Sequence, residues 1–189
     1  MIRSGQSKSA HYQGAFTIIE VIVTIVILGI ALVGVAAMIN RGLSNSADVM
    51  IESRAIALGY SYLDEILGRR YDERTRRGGI PPCYGLAGGG RCTAEASFGP
   101  DGGEVRARFD DVDDYHGLVE GDGELTPLQD AEGNNRSNYD NFRVEVSVRY
   151  GGDDPVMGLT ETDAKFINVN VRHRVQNIGW DFSVYKGNY

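Results

Sequence analysis

From Phe16 to Ile39 the chain is apolar almost without interruption, its polar side chains being Thr17, Thr24 and one charge, Glu20. That run exceeds the roughly 18 to 20 apolar residues that cross a bilayer as a helix, so at least one membrane-inserted helix is expected. Beyond Asn40 the pattern turns amphipathic. Leu43, Ala47, Met50, Ile51, Ala55, Leu58, Tyr62, Leu63 and Ile66 recur at steps of three and four, with Asp48, Glu52, Arg54 and Asp64 between them. The spacing predicts one helix carried on to about Leu67, with Gly68 near its end. Such a helix is about 75 Å long at ~1.5 Å per residue, its second half laying an apolar stripe on a sheet.

Periodicity then fails. Arg69, Arg70, Arg74, Arg76 and Arg77 lead into Pro81-Pro82 and Gly88-Gly89-Gly90, which reads as loop with a solvated basic face. Glu104 to Phe109 is a candidate short strand. The acidic run Asp110-Asp111-Val112-Asp113-Asp114 must stand in water, pair with arginine, or hold a cation such as calcium, although the order of an EF-hand loop is absent. Gly117 to Asn141 is a long polar excursion. Phe142 to Tyr150 alternates without a fault, the mark of a strand buried on one face. Ile167, Val169, Val171 and Val175 repeat the device after the turn-rich Gly151 to Gly158, and a further strand at about Trp180 to Tyr185 follows a turn at Gln176-Asn177-Ile178-Gly179. A long helix followed by an antiparallel sheet of three or four strands is the α+β order.

Composition narrows the function classes. The formal net charge is -7, and such an acidic body argues against nucleic acid bound through a basic face. Met1 to Ala15 is polar, carries Arg3 and Lys8, and has no apolar core of its own, so it reads as a leader on the cytoplasmic side that sends the body across the membrane. In the oxidising compartment beyond, Cys83 and Cys92 would form a disulfide, free thiols being the alternative; zinc would need two more soft ligands than their loop holds. His116 and His173 fall in no recognisable catalytic constellation, which leaves no catalytic, cofactor or metal residues to assign. A competing cut after Ala37, by an ordinary signal peptidase, would release a soluble product; the length of the apolar core and Glu20 within it oppose this.

Glu20 is the informative residue. A carboxylate in a bilayer costs on the order of 2.5 to 3.5 kcal/mol and calls for a partner, yet no Lys or Arg lies between Lys8 and Arg41. A cut just before Phe16 would create an ammonium that a neighbouring copy could offer to Glu20. Gly14-Ala15-Phe16-Thr17-Ile18-Ile19-Glu20, behind a short basic leader and ahead of the apolar run, resembles the class III signal of type IV pilins and pseudopilins. The resemblance implies a pilin-like fold in four parts: a cleaved leader (1–15), a transmembrane or filament-core helix (16–39), its amphipathic continuation (40–68) and a periplasmic globular domain (69–189). It also implies cleavage between Ala15 and Phe16 by a prepilin peptidase, methylation of Phe16, and pairing of Glu20 with another subunit's amino terminus. Ala15 departs from the family's usual glycine, so a cut after Gly14 stays open. Gly29 and Gly34 would serve filament packing or be ordinary membrane-helix glycines.

Further islands look like the D-type minor pseudopilin of mannose-sensitive haemagglutinin (MSHA) pilus systems: Arg70-Tyr71-Asp72-Glu73, the Cys83 to Cys92 loop, Gly99-Pro100-Asp101-Gly102-Gly103 and Asp110 to Gly117. That resemblance implies a non-enzymatic minor pilus subunit, held in the inner membrane and extracted by a platform protein and an assembly ATPase, acting at initiation or at the tip and serving surface attachment. Its alternatives are a type II secretion pseudopilin and a membrane-tethered periplasmic binding domain that never polymerises.

Overall fold

The alternation from Phe142 to Tyr150 sets the register of everything beside it. In the computed structural model, which describes residues 17–76, 78–85, 90–123 and 125–189 (43–45 by backbone alone), four antiparallel strands lie in chain order: β1 (Val119–Glu120), β2 (Phe142–Tyr150), β3 (Ala164–His173) and β4 (Ile178–Gly187). Phe142, Val144, Val146, Val148 and Tyr150 face inward and stand opposite His173, Val171, Val169, Ile167 and Lys165 of β3. Successive strand residues point to opposite faces, so one register settles which side of each strand meets the core. On β4 the matching row is Trp180, Phe182, Val184 and Lys186.

The sheet is covered by the later turns of one helix, α1 (Ile18–Leu67). Ala55, Leu58, Tyr62, Leu63 and Ile66 are buried against the valines of β2 and β3, with Ile51 at the margin. Together these make the fold α+β and pilin-like. The stripe begins later than its spacing suggests, because Ala47 and Met50 are exposed. By contact the chain divides into two compact units, one ending at Asp48 and one running from Val49 to Tyr189.

Gly59 lies in this face, and the apolar spacing passes over it. A Cβ there would stand 2.3 Å from Cδ2 and 2.8 Å from Cγ of Phe182 on β4, so the missing side chain is what admits the ring. Gly59→Leu should therefore lower stability by about 1 to 3 kcal/mol through overpacking, read from the urea midpoint. Gly59→Ala should cost less because it adds a single methyl, but the whole Phe182 side chain has to shift, since Cγ lies on the axis about which the ring turns. α1 closes with the Gly68 N–H on the carbonyls of Asp64 and Glu65. Its last turn holds no basic residue. Instead Lys186 of β4 brings its ammonium to the carbonyls of Leu67, at 2.8 Å, and Arg69, placing positive charge where a helix end favours it.

Four expectations are corrected. Glu104 to Phe109 is not a strand but contains a single 3-10 turn, Arg106–Arg108. Arg106 and Phe109 are both buried, and residues three apart share a side in a turn whereas a strand would point them to opposite faces. The excursion from Gly117 contains a two-residue strand, β1, paired with Val144 and Glu145. Val175 does not continue the buried row of β3. It is 74% exposed in the turn before Asn177, which takes a positive φ of 53°, a conformation asparagine tolerates. Ile178 and Gly179 consequently begin β4 rather than completing the turn.

Candidate functional site

The amino-terminal part of α1 is built from three polar side chains with different fates. Thr17 caps the helix: its carbonyl accepts the N–H groups of Glu20 and Val21 at 3.1 and 3.2 Å, and its Oγ1 lies 3.3 Å from the Glu20 N–H. Threonine at the cap with glutamate three residues later is the spacing of a capping box. The Thr24 hydroxyl turns back onto the carbonyls of Glu20 and Val21, at 2.9 and 2.8 Å, and is satisfied within the helix. Glu20 is left. Its carboxylate lies in the first turn, where the helix dipole favours a negative charge, and it forms no ion pair among the described residues.

Around Glu20 every apolar side chain up to Ile39 is exposed, among them Ile18 at 82% and Val33 at 71%. A contiguous apolar surface of this size is a site for lipid or protein, and the stretch is long and apolar enough to cross a membrane. Residues 10–36 match the family described as the prokaryotic N-terminal methylation motif. This supports a type IV pilin or pseudopilin. The pilin-type motif spans the expected cleavage position, Glu20 and most of the apolar run, and it implies processing by a prepilin peptidase and other pilins as partners. No curated protein and no solved structure matches the chain. Ala15 and Phe16, the expected cleavage positions, lie outside the described residues.

In the body, Cys83 and Cys92 are joined as a disulfide with Cα atoms 4.9 Å apart, both buried beside Tyr71 and Tyr150. Asn188 ties the chain's end to this staple, its Nδ2 donating to the carbonyls of Cys83 at 2.9 Å and Thr162 at 3.1 Å. Replacing both cysteines by serine should cost about 2 to 4 kcal/mol, chiefly by freeing the unfolded chain. A fall in thermal midpoint that reductant reproduces in the parent chain, and does not deepen in the variant, checks this.

The basic run after α1 is not wholly a solvated face. Arg69 Nε donates to the Tyr115 hydroxyl at 3.1 Å, and Arg70 binds Asp110 at 2.5 Å and Glu73 at 2.9 Å. Arg77 lies outside the described residues. The acidic run is likewise not solvated throughout, since Asp111, Asp113 and Asp114 are buried and only Asp110 is exposed. Asp111 Oδ1 accepts the N–H groups of Asp113 and Asp114, and Asp114 Oδ2 accepts those of Asp110 and Asp111. Oxygens of Glu73, Asp110 and Asp111 do converge, but Arg70 already neutralises two of the three. Asp72 also lies near both cysteine sulfurs, which the disulfide occupies.

The histidines have structural contacts. His116 Nδ1 accepts the Val148 N–H at 3.2 Å, and His173 stacks edge-on to Phe142 with ring centroids 5.0 Å apart.

Two buried charge clusters escaped the linear pattern. Arg106 bridges Glu65 of α1, at 2.5 Å, and Glu120 of β1, at 3.0 Å, beneath the rings of Tyr62, Phe109 and Tyr115. Burial, and then the Glu65 carboxylate to which it donates, push the Tyr115 hydroxyl up to about 12, so it keeps its proton at neutral pH. The second cluster centres on Lys165, fully buried on the inner row of β3. Carrying the alternation of Ile167 and Val169 two residues back would have found it, because period two sets a lysine among core valines.

Proposed function

We propose that this chain is a processed, non-enzymatic minor subunit of a type IV pilus-like filament of the MSHA type, acting at initiation or at the tip in surface attachment. Cleavage between Ala15 and Phe16 would leave an amino terminus that a methyltransferase activity of the same peptidase modifies. The helix then rests in the inner membrane with the body in the periplasm until a platform protein and an assembly ATPase draw it into the filament. The observation that carries this reading is one carboxylate without an ion pair among the described residues, within an exposed apolar helix that matches the methylation motif. In an apolar surround such a charge is stabilised mainly by an opposite charge brought by another molecule, and proteolysis makes that charge.

Separation of the two parts supports the same reading. The Val49–Tyr189 unit has a core of its own, and its disulfide suits an oxidising compartment. Sequencing the mature amino terminus tests the proposal. Methylated Phe16 is the expected result; a chain that begins at Met1 or at Met38 would remove the subunit reading.

A further inference from the structure

The fully buried lysine of β3 holds its nitrogen against one carboxylate and beside a second, inside a wall of aromatic rings. Lys165 Nζ is 2.5 Å from Asp113 Oδ1, 2.7 Å from the Tyr71 carbonyl and 3.5 Å from Asp72 Oδ2. Its side chain is 0% exposed and that of Asp113 is 5% exposed. The rings of Tyr71, Phe98 and Tyr150 enclose the ammonium at 4.7, 4.8 and 5.8 Å from their centroids. Attraction repays the desolvation of an ammonium and a carboxylate only where the geometry and the further hydrogen bonds are good, whereas an amide in the same place carries no charge to desolvate.

We propose that Lys165 and Asp113 join as an intramolecular isopeptide bond between Nζ and Cγ. The reaction is a dehydration that needs no oxidant or cofactor. The ammonium first passes a proton to Asp113 across their contact, giving a neutral amine and a carboxylic acid. The amine lone pair attacks Cγ, forming the C–N bond, and Asp72 takes a proton from the nitrogen. Asp111, whose Oδ1 accepts the Asp113 N–H at 2.9 Å, gives its proton to the departing hydroxyl as the C–O bond breaks, and water leaves. One ammonium and one carboxylate are consumed, and the proton Asp111 gave is replaced by the one Asp72 received, so charge and atoms balance.

Two features make the step feasible. Burial, and then the adjacent Asp113 charge, push Asp111 up to about 9, so it holds its proton at neutral pH. Fixing nucleophile and acceptor in one geometry supplies effective concentrations of roughly 10⁵ to 10⁸ M, and the aromatic enclosure keeps water from reversing the reaction. The bond would tie β3 to the acidic turn 52 residues earlier in the chain. That is a larger closed loop than the Cys83–Cys92 disulfide makes, with nothing for a reductant to cleave.

Mass spectrometry of the full chain purified in detergent tests this. The expected intact mass falls one water below that of the processed, disulfide-bonded chain, and a protease digest yields one branched peptide containing Asp113 and Lys165. Asp113→Ala and Lys165→Arg should each restore the missing water. In Asp111→Asn, with circular dichroism confirming the fold, the linear form should predominate. Linear peptides carrying unmodified Asp113 and Lys165 from the folded parent overturn the bond, and full cross-linking in Asp111→Asn overturns the part given to Asp111. The branched or linear state of the peptides that carry Asp113 and Lys165 does not depend on where the amino terminus is cut.

Discussion

Arg106→Ala should lower stability by about 3 to 5 kcal/mol, the usual cost of leaving buried charges without their partner. Side chains of Arg106, Glu65 and Glu120 are 7%, 6% and 6% exposed, so in the native packing the guanidinium, not bulk water, neutralises both carboxylates. Arg136 reaches Glu65 only at 3.6 Å and is engaged with the Gln129 carbonyl and the Ser61 hydroxyl. The Tyr62 hydroxyl donates to Glu120 and cannot neutralise it. Three parts of the body meet at this guanidinium: α1, β1 and the 3-10 turn Arg106–Arg108. The loss should therefore appear as a cooperative drop in the urea midpoint rather than as fraying of one loop. Removing the carboxylates as well, in Arg106→Met with Glu65→Gln and Glu120→Gln, should recover much of it, because no uncompensated charge remains. A single alanine variant as stable as the parent would show that the cluster is wetter than its burial indicates.

Glu20→Leu should lower entry into filaments by about a hundredfold while leaving the protein in the membrane and its body folded. Leucine removes an insertion cost of about 2.5 to 3.5 kcal/mol, so retention in the bilayer should rise. What disappears is the charge that favours one axial position of a subunit over its neighbours. At ~1.4 kcal/mol per tenfold, a pair that offsets that insertion cost is worth roughly two orders of magnitude in docking. Glu20→Asp should restore part of the incorporation, since the charge remains on a shorter arm. The readout is the ratio of sheared-filament to membrane protein, with the urea midpoint of the body as control. Unchanged incorporation of the leucine variant would dismiss pairing of Glu20 as the source of register.

Much of the architecture was legible because it rests on local period. Helix α1 ends at Leu67, where its apolar steps of three and four run out before Gly68. β2 occupies the nine residues whose alternation announced it. The pilin-type motif was legible for the same reason: its chemistry lies in adjacent residues, and residues 10–36 match it. Where period was weak, the chain had no local preference to display. Glu104 to Phe109 could have been strand or turn until Arg106 found Glu65, 41 positions earlier along the chain. The two residues of β1 exist only because Val144 and Glu145 offer them a partner.

By itself the sequence determined the long helix, the inward rows of the principal strands, the acidic body and the one carboxylate of the apolar run, since each follows from neighbouring residues and the period of one element. Only the tertiary structure decided which distant groups meet. It set Lys165 against Asp113, Arg106 between Glu65 and Glu120, Arg70 on Asp110, and the Phe182 ring over Gly59. Hydrophobic burial repeats with the geometry of a helix or strand and can be read along the chain, whereas a buried charge needs a single partner at a few ångströms, and that distance exists only after distant segments have packed.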